Sequence, residues 1–233
     1  MKKLLATSLL SAGLAFGAVP AAHAITITTA GLGLYSIFFN GFTGAGLIPG
    51  LSAQLDLTFT GLSDSNTNWN FNYVLTNTSG APIDASRISS FGFNTNPDVV
   101  GASATGPFSD VGVDENQPNG IGVIELCFFD GPAGNCTGNG NGVLLGASAA
   151  GTLTLDFDSV FSQLEMDSFF VRYQSIDSTQ LGIDGGSASG TGIDFDCPGT
   201  NPNCNDQDVP EPGTLALLGL GALGLALRRR LIA

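Results

Sequence analysis

The segment Trp69-Asn70-Phe71-Asn72-Tyr73-Val74-Leu75-Thr76 decides the predicted fold, because a large apolar side chain occupies every second position from Trp69 to Leu75. Successive side chains of a β-strand point to opposite faces of the sheet, so this spacing predicts a strand with one face on a core. An alternative is that Trp69, Phe71 and Tyr73 form an exposed platform for stacking on sugars. Alternating aromatic residues more often belong to a core.

Other parts of the chain repeat this period of two, with Asn-Gly and other glycine-rich turns between them. The alternating apolar positions are Leu55, Leu57 and Phe59, then Leu153, Leu155 and Phe157, then Phe169, Val171 and Tyr173. Several short strands at this spacing predict an all-β fold, an antiparallel β-sandwich of jelly-roll type over residues 25–184. A helical turn is expected near residues 161–167. Residues 185–208, rich in Gly, Ser, Asp, Asn and Pro, are predicted to be a flexible linker.

The N-terminus has the features of a secretory signal peptide. Lys2 and Lys3 precede an apolar stretch over residues 4–19, and Ala22-His23-Ala24 has the small-x-small form of a cleavage site. We therefore predict a signal peptide over residues 1–24, with Ala22 and Ala24 recognised by signal peptidase.

The C-terminal segment 209–233 has three parts with distinct physical roles. Val209-Pro210-Glu211-Pro212 is extended because of its prolines, residues 214–227 are apolar and suited to a transmembrane helix, and Arg228-Arg229-Arg230 would stop transfer on the cytoplasmic side. This order resembles the PEP-CTERM sorting signal. The resemblance implies export by a Gram-negative bacterium and transfer to an exosortase-type membrane processing enzyme.

The body of the chain is similar to the cistern group of PEP-CTERM proteins. The resemblance rests on the aromatic strand blocks at residues 55–61, 69–73, 87–93 and 169–175, and it covers most of residues 50–180. It implies a surface-directed β-protein without an assigned activity, so no catalytic residue is transferred to this chain.

The charge of the body excludes several classes of function. Between residues 25 and 209 the chain has 19 acidic residues and two cations, Arg87 and Arg172, a formal net charge of −17. Such a surface repels nucleic acid, which is therefore not an expected partner. The only histidine is His23, in the predicted signal peptide, so triads and zinc sites that need imidazole cannot be built in the body.

Four cysteines fit an exported protein. Cys127 and Cys136 enclose a turn-forming interval, as do Cys197 and Cys204, so we predict two local disulfides, 127–136 and 197–204. Each would stabilise the fold by about 2–3 kcal/mol in the chain-entropy model. A metal or redox site is the alternative, but the spacings are too long for a CxxC motif.

Carboxylates recur in close pairs, which suggests two chemistries. The candidates are Asp156 with Asp158, Asp194 with Asp196, Asp206 with Asp208, and the group Asp110, Asp114 and Glu115. Loops rich in oxygen ligands can bind structural Ca²⁺, and paired carboxylates can hydrolyse glycosidic bonds. A solvated acidic face is the simpler interpretation. No metal site and no cofactor are assigned from the sequence beyond a possible structural Ca²⁺.

The two arginines of the body stand out because the rest of it is acidic. Arg87 and Arg172 both lie in strand-like segments beside aromatic residues. We expect each guanidinium to pair with an aspartate or to stack on a ring. A clamp for the carboxylate of a ligand is the alternative.

These observations predict a non-enzymatic protein of the cell surface or the exopolysaccharide matrix. It would be exported, anchored in the inner membrane facing the periplasm, and then moved to the surface. The alternative is a polysaccharide-binding or Ca²⁺-dependent adhesive module. A carboxylate-based glycan hydrolase is a third hypothesis.

Overall fold

The computed structural model describes residues 24–131, 136, 138 and 141–196, with the backbone alone for 194–196, and this part is built from β-strands. The one other regular element there is a 3₁₀ turn at Asp64–Asn66. The strands are β1 Ile25–Thr28, β2 Leu34–Phe39, β3 Phe42–Thr43, β4 Gly46–Leu47, β5 Ala53–Ser63, β6 Asn68–Thr76, β7 Ala85–Asn96, β8 Gly101–Ala104, β9 Asp110–Gln117, β10 Gly122–Phe129, β11 Val143–Leu144, β12 Ser148–Asp156, β13 Gln163–Ser178 and β14 Ile183–Asp196. The prediction of an all-β fold is confirmed.

The strands form one nearly closed antiparallel sheet. Its order is β8-β12-β6-β5-β2-β14-β13-β7-β10-β9, with the short strands β1, β3, β4 and β11 attached beside this path. Strand β14 joins two halves, because its first part pairs with β13 and its last part pairs with β2. We call β8, β12, β6, β5 and β2 the β6 half, and β13, β7, β10 and β9 the β13 half. The two predicted layers are therefore halves of one continuous sheet.

Aromatic side chains from both halves meet in the core. The ring centroids of Tyr73 on β6 and Phe91 on β7 are 5.3 Å apart, and those of Trp69 and Phe161 are 5.2 Å apart. Trp69, Phe71 and Tyr73 are at most 1% exposed. The alternative of an exposed sugar-stacking platform is therefore wrong, since these rings face inward and are buried.

The predicted helical turn near residues 161–167 is also wrong. Strand β13 begins at Gln163, and Leu164 and Met166 are buried while Glu165 between them is partly exposed. This local period of two is satisfied by pairing with β1, whose Ile25 and Ile27 lie opposite Met166 and Leu164. Residues 25–28, directly after the predicted cleavage site, thus contribute side chains to the core.

The predicted linker beginning at residue 185 is wrong for residues 185–196, which belong to β14. The small residues of this strand allow close packing. A Cβ at Gly190 would overlap the carbonyl oxygen of Asn40 and crowd the side chains of Val171 and Tyr173. The small residues that are typical of a linker are found here because the strands approach one another closely.

Several predicted features lie outside the described residues. They are residues 1–23 of the predicted signal peptide, Cys197 and Cys204, the rest of the linker, and the whole C-terminal segment 209–233. Within the part of the chain that is described, no helix has the length and apolar character needed to cross a membrane.

Substituting Gly190→Ala should test whether residues 185–196 are packed as β14. We expect the free energy of unfolding to fall by about 1–3 kcal/mol, because the added methyl group overpacks the contact with Asn40. Urea denaturation of the full chain, followed by fluorescence of its one tryptophan, measures this change. Gly44→Ala is the matched control, since nothing lies within 4 Å of its Cβ position. Equal effects of the two substitutions would contradict the packing of β14.

Candidate functional site

The outward side of the β6 half carries mainly hydroxyl and carboxamide groups, interrupted by Val74 and Ala150, and we call it the polar face. It comprises the even-numbered residues 54–58 of β5, 68–76 of β6 and 148–156 of β12, with Ser36 of β2 and Ser103 of β8. The odd-numbered residues of β2, β5, β6 and β12 face the core, as do Ala102 and Ala104 of β8, which leaves the polar face toward solvent.

The strand register aligns the polar side chains in rows across the sheet. Asn72 lies opposite Thr58 on one side and Thr152 on the other. The next row contains Asn70 and Thr154, and Thr154 lies opposite Ser103. Neighbouring strands are about 4.8 Å apart and residues i and i+2 about 6.7 Å apart, so the face offers a regular array of donors and acceptors.

Hydrogen bonds between side chains of neighbouring strands fix the orientation of this array. The Thr154 hydroxyl donates to Asn70 Oδ1 at 3.0 Å, and the hydroxyls of Thr76 and Ser148 are 2.8 Å apart. Asn72 is exposed, and no hydrogen bond of its side chain is found among the described residues. Its amide lies in the middle of an ordered surface and is available to a ligand.

The polar face carries little charge for a protein with 19 acidic residues in its body. Of its residues, all of which the structure describes, Asp56 and Asp156 are the charged ones. Asp56 accepts hydrogen bonds from Ser36 at 2.6 Å and Gln54 at 2.8 Å. Such a surface matches the uncharged hydroxyl groups of a neutral sugar better than it matches an ion.

The two carboxylates of the polar face are too far apart for glycoside hydrolysis. Asp56 lies opposite Val74, and Asp156 lies opposite Asn68, which precedes Val74 by six residues on β6. This offset alone corresponds to about 20 Å, whereas catalytic carboxyl pairs are about 5–10 Å apart. These two residues therefore cannot act together on one glycosidic bond.

The carboxylate groups proposed from the sequence are not assembled into a metal site in the described part of the chain. No three His, Cys, Asp or Glu residues there are arranged to hold a metal ion. Asp110, Asp114 and Glu115 follow one another along the edge strand β9, and Asp158 is exposed in a bend after β12. The side chains of Asp194 and Asp196, like the whole of Asp206 and Asp208, are outside the described part. Structural Ca²⁺ stays a prediction.

The outward side of the β13 half is covered, in contrast to the polar face. A second apolar cluster forms there from Ile124, Cys127, Phe129, Cys136 and Phe170, with Ile121 packed against it. The predicted disulfide between Cys127 and Cys136 is present in this cluster. The disulfide links Cys136, which follows β10, to Cys127 on the outward side of β10.

Arg87 is fully engaged by its neighbours, as the sequence predicts for each of the two arginines. Its Nη1 is 3.5 Å from Asp130 Oδ2, and its Nη2 donates to Gln174 Oε1 at 2.6 Å. Nη1 also donates to the carbonyl oxygen of Asn141 at 3.3 Å. The side chains of Arg87 and Asp130 are 10% and 1% exposed, so this is a buried ion pair.

Arg172 lies on the same side of the β13 half but has no such partner in the part of the chain that is described. It is half-buried, and its Nε is buried without a hydrogen-bond partner. Burial lowers the pKa of Arg172 from its ordinary value, because the cation loses water and no carboxylate compensates. The prediction that each arginine pairs with an aspartate or stacks on a ring is thus confirmed for Arg87, whereas for Arg172 pairing with an aspartate is not found in the described part of the chain.

Sequence reasoning missed Glu125 and the asparagines of β6. Glu125 Oε2 accepts hydrogen bonds from the backbone and the hydroxyl of Thr95 at 2.6 and 2.8 Å, and Oε1 accepts one from the Val99 backbone at 2.7 Å. Glu125 thereby anchors the loop after β7. It does not form a close pair with another acidic residue in the sequence, so the pattern of paired carboxylates did not indicate it. Asn68, Asn70 and Asn72 could have been noticed, since they alternate with the aromatic residues.

Replacing Arg87 with methionine should lower the free energy of unfolding by about 3–5 kcal/mol, because the Asp130 carboxylate would stay buried without its cation. Chemical denaturation of the full chain checks this value. Adding Asp130→Asn to Arg87→Met should recover part of the loss. A loss that is unchanged in the double variant would show that the ion pair is not its cause.

Comparison with known protein families finds the PEP-CTERM protein-sorting motif at residues 208–230. A search of curated proteins gives no match to this chain, and a search of solved structures gives none either. The β-domain is thus described by its own geometry, while the end of the chain is assigned by its sequence. The chain carries a PEP-CTERM protein-sorting motif.

Proposed function

We propose that this chain is an exported, non-enzymatic protein of the cell surface or the exopolysaccharide matrix, delivered there by an exosortase-type enzyme. The observation that carries the proposal is the sorting motif at residues 208–230, which implies processing by that membrane enzyme and sorting to the cell envelope. The signal-peptide pattern at residues 1–24 supports export from the other end of the chain.

The chain between the β-domain and the sorting motif is long enough for a membrane enzyme to bind the motif beside a folded domain. Strand β14 ends at Asp196 and the motif begins at residue 208, so eleven residues separate them. A chain of that length reaches at most about 35–40 Å when fully extended. The β-domain can therefore be complete while the tail engages a membrane enzyme.

The proposal of a non-enzymatic role is supported by the arrangement of the reactive side chains. The body lacks histidine, and the acids of the polar face are far apart. A net charge of −17 for residues 25–209 favours a hydrated protein that does not aggregate.

Intact mass and C-terminal peptide sequencing of the chain, recovered from a host with an exosortase, test the sorting proposal. We expect a product that begins at Ile25, ends near residues 210–212 and lies outside the inner membrane. In the same host without the exosortase, the C-terminal arginines 228–230 should stay in the product. A chain that ends at Ala233 in the inner membrane of both hosts would contradict exosortase processing.

Binding of a neutral polysaccharide is a second candidate function, favoured by one observation. The polar face combines exposed amide and hydroxyl groups with internal hydrogen bonds that hold them in place. Preorganised polar groups lose little conformational entropy on binding, which favours recognition of sugar hydroxyls. This function would explain retention in a matrix of neutral exopolysaccharide.

Asn72→Ala tests this second function, because the residue is exposed at the centre of the polar face. We expect affinity for a neutral glucan such as dextran to fall about 2–10-fold, the equivalent of one neutral hydrogen bond. Isothermal titration calorimetry with the full chain measures it. Asn116→Ala, exposed on the edge strand β9, is the control and should leave the affinity unchanged. Absence of glucan binding by the parent chain would end this hypothesis.

A further inference from the structure

Two phenylalanines differ from the others in the part of the chain whose side chains are described. Phe38 and Phe42 are partly exposed and pack against neither the core nor the second apolar cluster, whereas the other phenylalanines there are buried or packed against a cluster. A partly exposed ring removes less apolar surface from water on folding than a buried ring does. The positions of these two rings are therefore not explained by packing of the core.

Phe38 lies at the margin of the polar face. On β2 it alternates with the buried Ile37 and Phe39, so its side chain points outward. It lies opposite Gln54 of β5, and the same row continues with Thr76 of β6. The ring and the polar side chains of this row are therefore on the same side of the sheet.

Phe42 also points outward. It lies opposite Ser189 of β14, and the preceding residue of β14, Ala188, is in the core, so Ser189 and Phe42 face away from the core. Across the hairpin of β3 and β4, Phe42 lies opposite Leu47, which is 70% exposed. The Cα atoms of Phe38 and Phe42 are at most about 14 Å apart, because four residues separate them along the chain.

These residues and Leu34, which begins β2 and lies opposite Thr58, form a surface that we call the apolar strip. Its members are Leu34, Phe38, Phe42 and Leu47. The sequence has no charged residue between residues 25 and 55, which include the whole strip, although residues 25–209 have a net charge of −17. The strip thus lies beside the polar face in an uncharged part of an acidic body.

We propose that the apolar strip binds the ring faces of a neutral polysaccharide made of pyranose units with equatorial hydroxyl groups, as in β-1,4-glucans. Such a unit presents C–H bonds on its two faces and hydroxyl groups around its rim. The faces stack on Phe38 and Phe42, while the rim hydroxyls bind Gln54 and Thr58 of the rows that begin at the strip. A lipid surface would match the strip but would leave the adjacent polar groups without partners.

This inference rests on the second candidate function, because it names the class of sugar and adds residues outside the polar face. The two can fail separately. Dextran binding that depends on Asn72 and cellohexaose binding that does not depend on Phe38 would retain the polar face and overturn the role of the strip.

Isothermal titration calorimetry of the full chain with cellohexaose tests the strip, in a polyoxyethylene detergent that has no sugar headgroup. We expect Phe38→Ala to weaken binding about 2–10-fold, the range that corresponds to losing one aromatic contact. Phe38→Leu should weaken it as well, because leucine has no flat ring on which a sugar can stack. Phe38→Trp should bind at least as tightly as the parent chain.

The choice of sugar gives a second readout, which a merely structural role of Phe38 would not change. Mannohexaose with the same β-1,4 linkage has an axial hydroxyl on every unit, and this group obstructs one ring face. We expect the parent chain to bind mannohexaose about 3-fold or more weakly than cellohexaose, and Phe38→Ala to lose most of this preference.

Val123→Ala is the matched control, since Val123 is 59% exposed on β10 and lies outside the strip. It should leave the affinity unchanged, and the melting temperature of Phe38→Ala should stay close to that of the parent chain. The proposal is overturned if the parent chain does not bind cellohexaose, if Phe38→Ala binds it equally well, or if mannohexaose binds more tightly. It is also overturned if analytical ultracentrifugation shows a dimer that Phe38→Ala dissociates, because a second copy would then cover the strip.

Discussion

Packing of aromatic side chains between the two halves of one sheet is the interaction on which the rest of this structure depends. The contact of Tyr73 with Phe91 joins strands that are distant in the sheet order, and Trp69 is covered in the same core by Phe161. Because a strand alternates its faces, committing these rings to the core places the asparagines of β6 on the outside. The polar face is thus a direct consequence of the core.

The same constraint gives the two halves different outer surfaces. In the described part of the chain, the outer side of the β6 half presents mainly polar side chains, while that of the β13 half carries a small apolar cluster that includes the disulfide of Cys127 and Cys136. On the same side, Arg87 is buried with Asp130, and Asn119 of the turn between β9 and β10 donates to Ser189, the residue opposite Arg172. In a body with only two cations, Arg87 neutralises a buried carboxylate, whereas Arg172 has no carboxylate partner in the described part of the chain.

The sequence correctly predicted the strands whose apolar residues occupy every second position. The prediction was wrong where the composition fits both a strand and a linker. The alternation at residues 55–59, 69–75 and 153–157 matches the buried positions of β5, β6, β12 and the residue after it. Residues 185–196 were interpreted as linker because small residues are shared by linkers and by strands packed too closely for side chains. Only the proximity of Asn40 to Gly190 distinguishes the two, and that proximity joins residues 150 positions apart.

The sequence by itself determined the all-β class, the Cys127–Cys136 disulfide and the sorting motif, because each depends on residues close together in the chain. Tertiary structure decided which of two identical arginines is paired, and it decided that the aromatic residues of β6 form a core. It also decided that Ser90 and Ser189 lie opposite Arg172. These outcomes depend on which strands become neighbours, and strand pairing across long separations is not encoded in any local pattern.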